Sequence, residues 1–264
     1  MTTIGFIGVG EIASAMVEGL HAATETVAAP EDRYSFLLSP RNADRSAHLA
    51  ATVETAEVCD SNQEVVDRSE LIVLAVLPQQ AAAVLDELDI PADRTLVSAV
   101  AGMATDRLAE HLPHSPTIVR IIPLPAVRER KGVTAMYPAS QAIEELLSHL
   151  GGSVTAADET MFSTLSATTA TMSAHFAFLQ TITSWLVSQG WEQADADHFI
   201  RGQFVGLGTT LAETDTPIAE LVADHETPGG LNEQLNHEWM DEANRDRLAA
   251  ALNAVFARVT GSAD

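Results

Sequence analysis

Cysteine is almost missing from this chain: Cys59 stands alone. A lone thiol excludes an intrachain disulfide framework and fits a reducing compartment. Lysine is almost missing too, with only Lys131, and 14 basic residues face 37 acidic ones for a net charge of −23. So acidic a chain argues against nucleic acid and anionic membranes as partners, since both are polyanions. The acid is spread over both halves, as on a solvated surface and not in an acidic tail. Long apolar runs are absent: none approaches the ~20 residues of a membrane span. No basic region precedes the first apolar run, so no signal peptide is expected and the chain is expected in the cytoplasm.

What is present begins at once. Ile4-Gly5-Phe6-Ile7 is an apolar strand signal, and Gly8-x-Gly10-x-x-Ala13 follows it directly and opens a helix. A dinucleotide needs this order. Gly8 permits the tight turn, Gly10 lets backbone approach a pyrophosphate, and Ala13 is small enough for helix to pack on strand. Glu11 and Ile12 stand at the helix N-terminus, which faces the phosphates.

The 264 residues are enough for one large domain or two modest ones, and 46% hydrophobic residues supply a core. Strand and helix signals alternate through the first part. Strands are expected at residues 3–7, 34–38, 55–58, 70–76, 96–102, 117–123 and 132–137, with a helix over 11–23 and a Pro30-Glu31-Asp32 loop before the second strand. A helix is expected over 140–150 and a last strand at 153–155. Leu71 to Val76 is almost wholly apolar, as a strand buried on both faces should be. This pattern predicts a Rossmann-type α/β domain over 1–157. From 158 to 264 the pattern becomes all-helical, with helices expected over 160–189, 195–213, 217–225 and 232–259. The helix over 160–189 is apolar around most of its surface, so packing against a second chain is expected.

In an open α/β sheet, ligands sit at the carboxyl ends of the strands. That rule places Gly8, Ser39, Val76, Leu77, Pro78, Ala101, Gly102 and Pro123 around one crevice. The second strand ends in Ser39-Pro40-Arg41-Asn42, where an NAD site would carry an acid for the ribose hydroxyls. Ser39, Arg41 and Asn42 are donors suited to a 2′-phosphate, so the expected cofactor is NADP(H).

Motifs across nearly the whole chain resemble the pyrroline-5-carboxylate reductase family. They are Gly5-Phe6-Ile7-Gly8-Val9-Gly10, Ser39-x-Arg41, Ala75-Val76-Leu77-Pro78-Gln79, Ser98-Ala99-Val100-Ala101-Gly102, Arg120-Ile121-Ile122-Pro123 and Thr227-Pro228-Gly229-Gly230. The resemblance implies an NADP-binding Rossmann domain, a helical dimerisation domain and reduction of a carboxylate-bearing cyclic imine to proline or a relative of it. Departures fall on the family's substrate side. Leu77 stands where the family has lysine and Leu124 where it has asparagine. Thr169-Ala170-Thr171-Met172-Ser173-Ala174-His175 replaces a serine- and glycine-rich stretch, and Leu231-Asn232 replaces two threonines.

His175 is the candidate proton donor, with Thr227 and Asn232 beside it in the catalytic set. Thr171, Ser173 and the backbone N–H groups of Gly229 and Gly230 are the candidate substrate contacts, the glycine pair receiving a carboxylate. Helix hydroxyls also bond their own preceding turn, and His175 and His225 also read as ordinary helix and loop histidines. His111-x-x-His114 is broken by Pro113 and lacks an acid or cysteine cluster, so no metal site is expected. Two other readings stay open: a reductase or dehydrogenase of another small oxo or hydroxy acid, and a non-catalytic NADP-binding sensor. A hydroxyacid dehydrogenase of the phosphogluconate type is disfavoured, since that family relies on a lysine in its helical domain.

Overall fold

The computed structural model describes residues 2–24, 34–213 and 215–261. The Pro30-Glu31-Asp32 loop lies outside the described residues. Contacts divide the chain into two compact units, essentially 2–166 and 167–258.

The first unit is built on one sheet of eight strands. In chain order the elements are β1 (Thr2–Ile7), α1 (Glu11–Thr24), β2 (Tyr34–Leu38), α2 (Ala43–Thr52), β3 (Ala56–Val58), α3 (Asn62–Asp67), β4 (Leu71–Leu74), α4 (Pro78–Asp86) and β5 (Thr95–Ser98). Then come α5 (Thr105–Ala109), β6 (Thr117–Ile122), a 3-10 turn over Pro125–Glu129, β7 (Thr134–Tyr137), α6 (Gln141–Ser148), β8 (Ser153–Thr155) and α7 (Glu159–Thr168). The strand order is β3-β2-β1-β4-β5-β6-β7-β8. All neighbouring pairs are parallel except β6 with β7. The first six strands follow the doubly wound order, whose switch point lies between β1 and β4.

Side chains alternate across the strands, and the two faces feed two cores. Ile4 and Phe6 join Met16, Leu20, Phe36 and Leu38 on one face, whereas Ile7 and Leu37 join Ile72, Leu74, Leu85 and Leu96 on the other. A third, small core forms where Phe162 of α7 packs on Ala135 and Ala156, with Ile122, Tyr137 and Leu165 around it. Two expected strands are shorter than their apolar runs. β4 stops at Leu74 and β5 at Ser98. The residues beyond them leave the sheet as turns, with Gly102 at φ +69°.

The second unit holds α8 (Thr171–Ser188), α9 (Gln193–Glu213), α10 (Ile218–His225), α11 (Leu231–Trp239) and α12 (Glu242–Val259). Two expected helices are each broken in two. The helix over 160–189 is α7 and α8, parted at Thr169–Ala170. Thr168, Thr169 and Thr171 crowd the break, where the Thr171 hydroxyl donates to the Thr168 carbonyl at 2.7 Å. Hydroxyls that compete for backbone groups favour helix ends over helix interiors. The helix over 232–259 is α11 and α12. Asp241 caps α12 by accepting from the Asn244 N–H at 2.8 Å.

Large apolar side chains of this unit are exposed: Phe176, Trp185, Phe199, Val205, Ile218 and Leu231 all show more than half their surface. Among the described residues no helix is long and apolar enough to cross a membrane.

Candidate active site

The crevice at the end of β1 is assembled by neighbours that grip the glycine turn. Gly8 has φ +91°, a conformation side chains rarely adopt. Its N–H donates to the Ser39 hydroxyl at 3.0 Å. The Ser39 carbonyl accepts from the Ser46 hydroxyl at 2.8 Å, and Asn42 donates its amide to the Val9 carbonyl at 2.9 Å. The loop after β2 is therefore bolted onto the loop after β1. At Gly10 the reverse holds: a Cβ built there meets nothing within 4 Å. Backbone and open space coincide at the N-terminus of α1, as a pyrophosphate requires.

A crevice of about 410 Å³ runs from Gly8–Ile12 past Arg41 and Asn42 to Ala75–Leu77, Gln80 and Ala99. Of the expected cofactor residues, Gly8, Gly10, Glu11, Ile12, Arg41, Val76 and Leu77 line it. Ser39 does not, and its expected role as a phosphate ligand is corrected. It is fully buried, and its hydroxyl accepts the Gly8 N–H. Pro78 is the first residue of α4 and is exposed, and Ala101 and Gly102 are exposed turn residues. None of these three lines the crevice. Sequence reasoning missed Gln80 and Ala99, which carry no motif of their own.

Charge at the mouth is arranged with care for an anion. Glu11 sits in the first turn of α1, where its carboxylate would repel a phosphate. Arg45 at 2.8 Å and Arg128 at 2.9 Å bind its two oxygens. Hydrogen bonds from Arg45 and Arg128 hold the Glu11 carboxyl below its ordinary range. Arg41 is exposed and makes no ion pair among the described residues. Its guanidinium is available to a ligand in the crevice.

In the second unit the expected substrate residues fall into separate places. His175 is exposed on α8, its ring edge-on to Phe204 at 5.7 Å. Phe204 meets Phe178 at 5.9 Å, and Phe178 stacks on Trp239 at 5.0 Å. Asn232 donates to the His225 carbonyl at 2.9 Å. Asn232 and His225 line a hollow of about 560 Å³ with Phe178, Leu207, Leu211 and Leu221. His175, Thr171, Ser173 and Thr227 are not among its walls.

The glycine turn before α11 requires a correction. Gly230 donates its N–H to the Thr227 carbonyl at 2.7 Å, and Gly229 donates to the Glu233 carboxylate at 2.6 Å. Gly230 is the N-cap of α11, and Glu233 reaches back over it as in a capping box. Neither glycine N–H is open to a substrate carboxylate, contrary to expectation. The signal was in the sequence: an acid three residues after a helix start. The Thr171 hydroxyl is likewise engaged by its own preceding turn, at the Thr168 carbonyl.

A doubly wound sheet with a glycine turn, an open anion crevice at its switch point and a following helical unit defines a dinucleotide-dependent oxidoreductase. Comparison with known proteins narrows the class. Residues 3–102 match the family described as NADP oxidoreductase coenzyme F420-dependent, and residues 159–261 match pyrroline-5-carboxylate reductase dimerisation. Pyrroline-5-carboxylate reductase 3 of Xenopus laevis is 26% identical, over 99% of this chain and 95% of its own. The pyrroline-5-carboxylate reductase of Corynebacterium melassecola is 27% identical over 96% of each. Among solved structures, the pyrroline-5-carboxylate reductase of Coxiella burnetii superposes with a TM-score of 0.82 at 20% identity, covering 100% of this chain and 99% of that one. The Plasmodium falciparum enzyme with NADP bound gives 0.76 at 17% identity, covering 98% and 97%. Over nearly its whole length the chain is similar to pyrroline-5-carboxylate reductases, and its helical part carries their dimerisation domain.

Proposed function

We propose that this protein is an NADPH-dependent reductase of a cyclic imine bearing a carboxylate, pyrroline-5-carboxylate or a near relative, and that it acts in cytoplasmic proline biosynthesis. In this reading residues 1–157 hold the cofactor, and residues 158–264 dimerise and meet the substrate. The observation that carries it is the open space at Gly10 in the crevice wall, on a chain whose relatives over its whole length carry this name. When bound, NADPH supplies a hydride. The chain supplies the rest. Gly8 and Gly10 present backbone to the pyrophosphate, Arg41 meets the 2′-phosphate, and Arg45 and Arg128 neutralise Glu11 beside it. An imine that arrives protonated needs little acid catalysis, so the absence of a strong general acid in the candidate set is no obstacle. Leu77, exposed at the crevice wall where the family has lysine, makes the substrate side more apolar and suits a ring bulkier than pyrroline.

The cofactor reading is tested at Arg41. Arg41→Ala is expected to weaken NADPH by about 1.5–3 kcal/mol, roughly ten- to hundredfold in Kd, and to leave NADH nearly unchanged. Calorimetric titration with both cofactors measures it. Equal losses would make Arg41 a structural residue and remove the basis for NADP preference.

The helical unit's exposed Phe176, Trp185 and Phe199 call for a second copy of the chain. Light scattering at micromolar concentration is expected to show a dimer or a multiple of it, and a monomer across a range of salt would sink that reading.

A further inference from the structure

One charged cluster in the first unit lies apart from the crevice mouth and has no role so far. Arg120 is on β6, an interior strand between β5 and β7, and is 3% exposed. Its Nη1 donates to Glu159 Oε1 at 2.8 Å, and its guanidinium lies 4.5 Å above the ring of Phe162. Among the described residues its Nε is buried with no hydrogen-bond partner. A half-satisfied buried guanidinium is costly, and an apolar residue would fill this place more cheaply. The same Glu159 oxygen accepts from the Thr105 N–H at 2.8 Å and the Thr105 hydroxyl at 3.0 Å. Burial pushes the Glu159 carboxyl up, but the bonds from Thr105 and Arg120 outweigh it and hold the group below its ordinary value. It stays an anion.

Thr105 ends the segment that leaves β5. That segment starts at Ala99, in the crevice wall, and passes through the Ala101–Gly102 turn. In a doubly wound sheet the adenosine half of a dinucleotide lies over the strands on the β2 side of the switch point. The nicotinamide half lies over those on the β5 side. We propose that Glu159 is a positioning residue for the nicotinamide half of the cofactor: backed by Arg120, it anchors Thr105 and so fixes residues 99–104 beneath that half. The proposal rests on the NADPH reading above.

Thr105→Pro isolates the anchor. Thr105 is the first residue of α5, where proline needs no N–H. Ala104, at φ −66° and ψ 159°, already has the extended backbone that precedes proline. The variant keeps the helix start and loses both donors to Glu159. Two probes are titrated against the full chain: NADPH, followed by nicotinamide fluorescence, and adenosine 2′,5′-bisphosphate, which lacks the nicotinamide half. NADPH is expected to weaken about tenfold, with the bisphosphate unchanged and the chain still folded at the titration temperature. Thr105→Val, which keeps the N–H, is expected to show a smaller loss of the same kind, and Thr105→Ser none. NADPH affinity unchanged in Thr105→Pro overturns the proposal. So does a parallel loss of both probes, which marks general damage; if Thr105→Pro does not fold, the same two outcomes are read from Thr105→Val. A wild-type chain that binds neither probe overturns the NADPH reading itself.

Discussion

Gly8→Ala is expected to abolish measurable NADPH binding, with a loss of at least a hundredfold by calorimetry. Two causes add. The backbone at φ +91° is strained for any L side chain, and a Cβ there would lie 2.7 Å from the Ala75 carbonyl oxygen and 2.6 Å from Val76 Cγ1. Strain and overlap of this kind each cost about 1–3 kcal/mol. The chain relieves them by moving the turn, which takes the Gly8 N–H off Ser39 and turns the loop away from the phosphates. Gly10→Ala makes the contrast. Its Cβ meets nothing in the protein, so the fold is expected to be unharmed while the methyl takes the space a pyrophosphate needs. Wild-type NADPH affinity in Gly8→Ala would show that the crevice at β1 is not where the dinucleotide binds.

Gly19→Ala is expected to give the largest loss of stability of any single methyl added to the first unit's helices. Helix propensity alone predicts the opposite sign, since alanine gains about 1 kcal/mol over glycine inside a helix. Packing decides the matter. A Cβ at Gly19 would stand 2.2 Å from the Val127 carbonyl oxygen and 2.8 Å from Leu150 Cδ2. Backbone on the 3-10 turn cannot swing aside as a side chain can, and Arg128, next in sequence, is tied to Glu18 and Glu11 of α1. The expected net loss is about 2–4 kcal/mol, roughly 4–15 °C in Tm for a unit of this size. A melting curve at or above the wild-type midpoint would mean that α1 and the 3-10 turn separate more easily than their contact implies.

Much of the first unit was legible because its signals are local. Leu71 to Leu74 reads as a buried strand, and Gly8 with Gly10 reads as a phosphate turn, from spacing alone. The helical unit was legible in outline only. Small residues run across Thr169–Ala170 and helix-compatible polar ones across Met240–Asp241, with no glycine or proline at either break to interrupt the helical reading. The breaks come from hydroxyl and carboxylate capping, at Thr171 and at Asp241, which hydropathy does not register. Ser39 was misread for a related reason. Its residue type suits a phosphate, but whether its hydroxyl faces the crevice or Gly8 depends on the register of β1 and β2, where Phe6 pairs with Leu38. The Arg120–Glu159 pair spans 39 positions, and no short motif announces it.

The Glu233 carboxylate on the Gly229 N–H has a consequence for recognition. It is a tethered ligand, four residues from the group it binds. Over so short a span its effective concentration is on the order of millimolar or higher. Any free carboxylate that seats at Gly229 must first displace it. Acetate or chloride at low concentration loses that competition and leaves the turn closed. The turn before α11 is thus closed by the chain's own acid, and a small free anion finds no open N–H there.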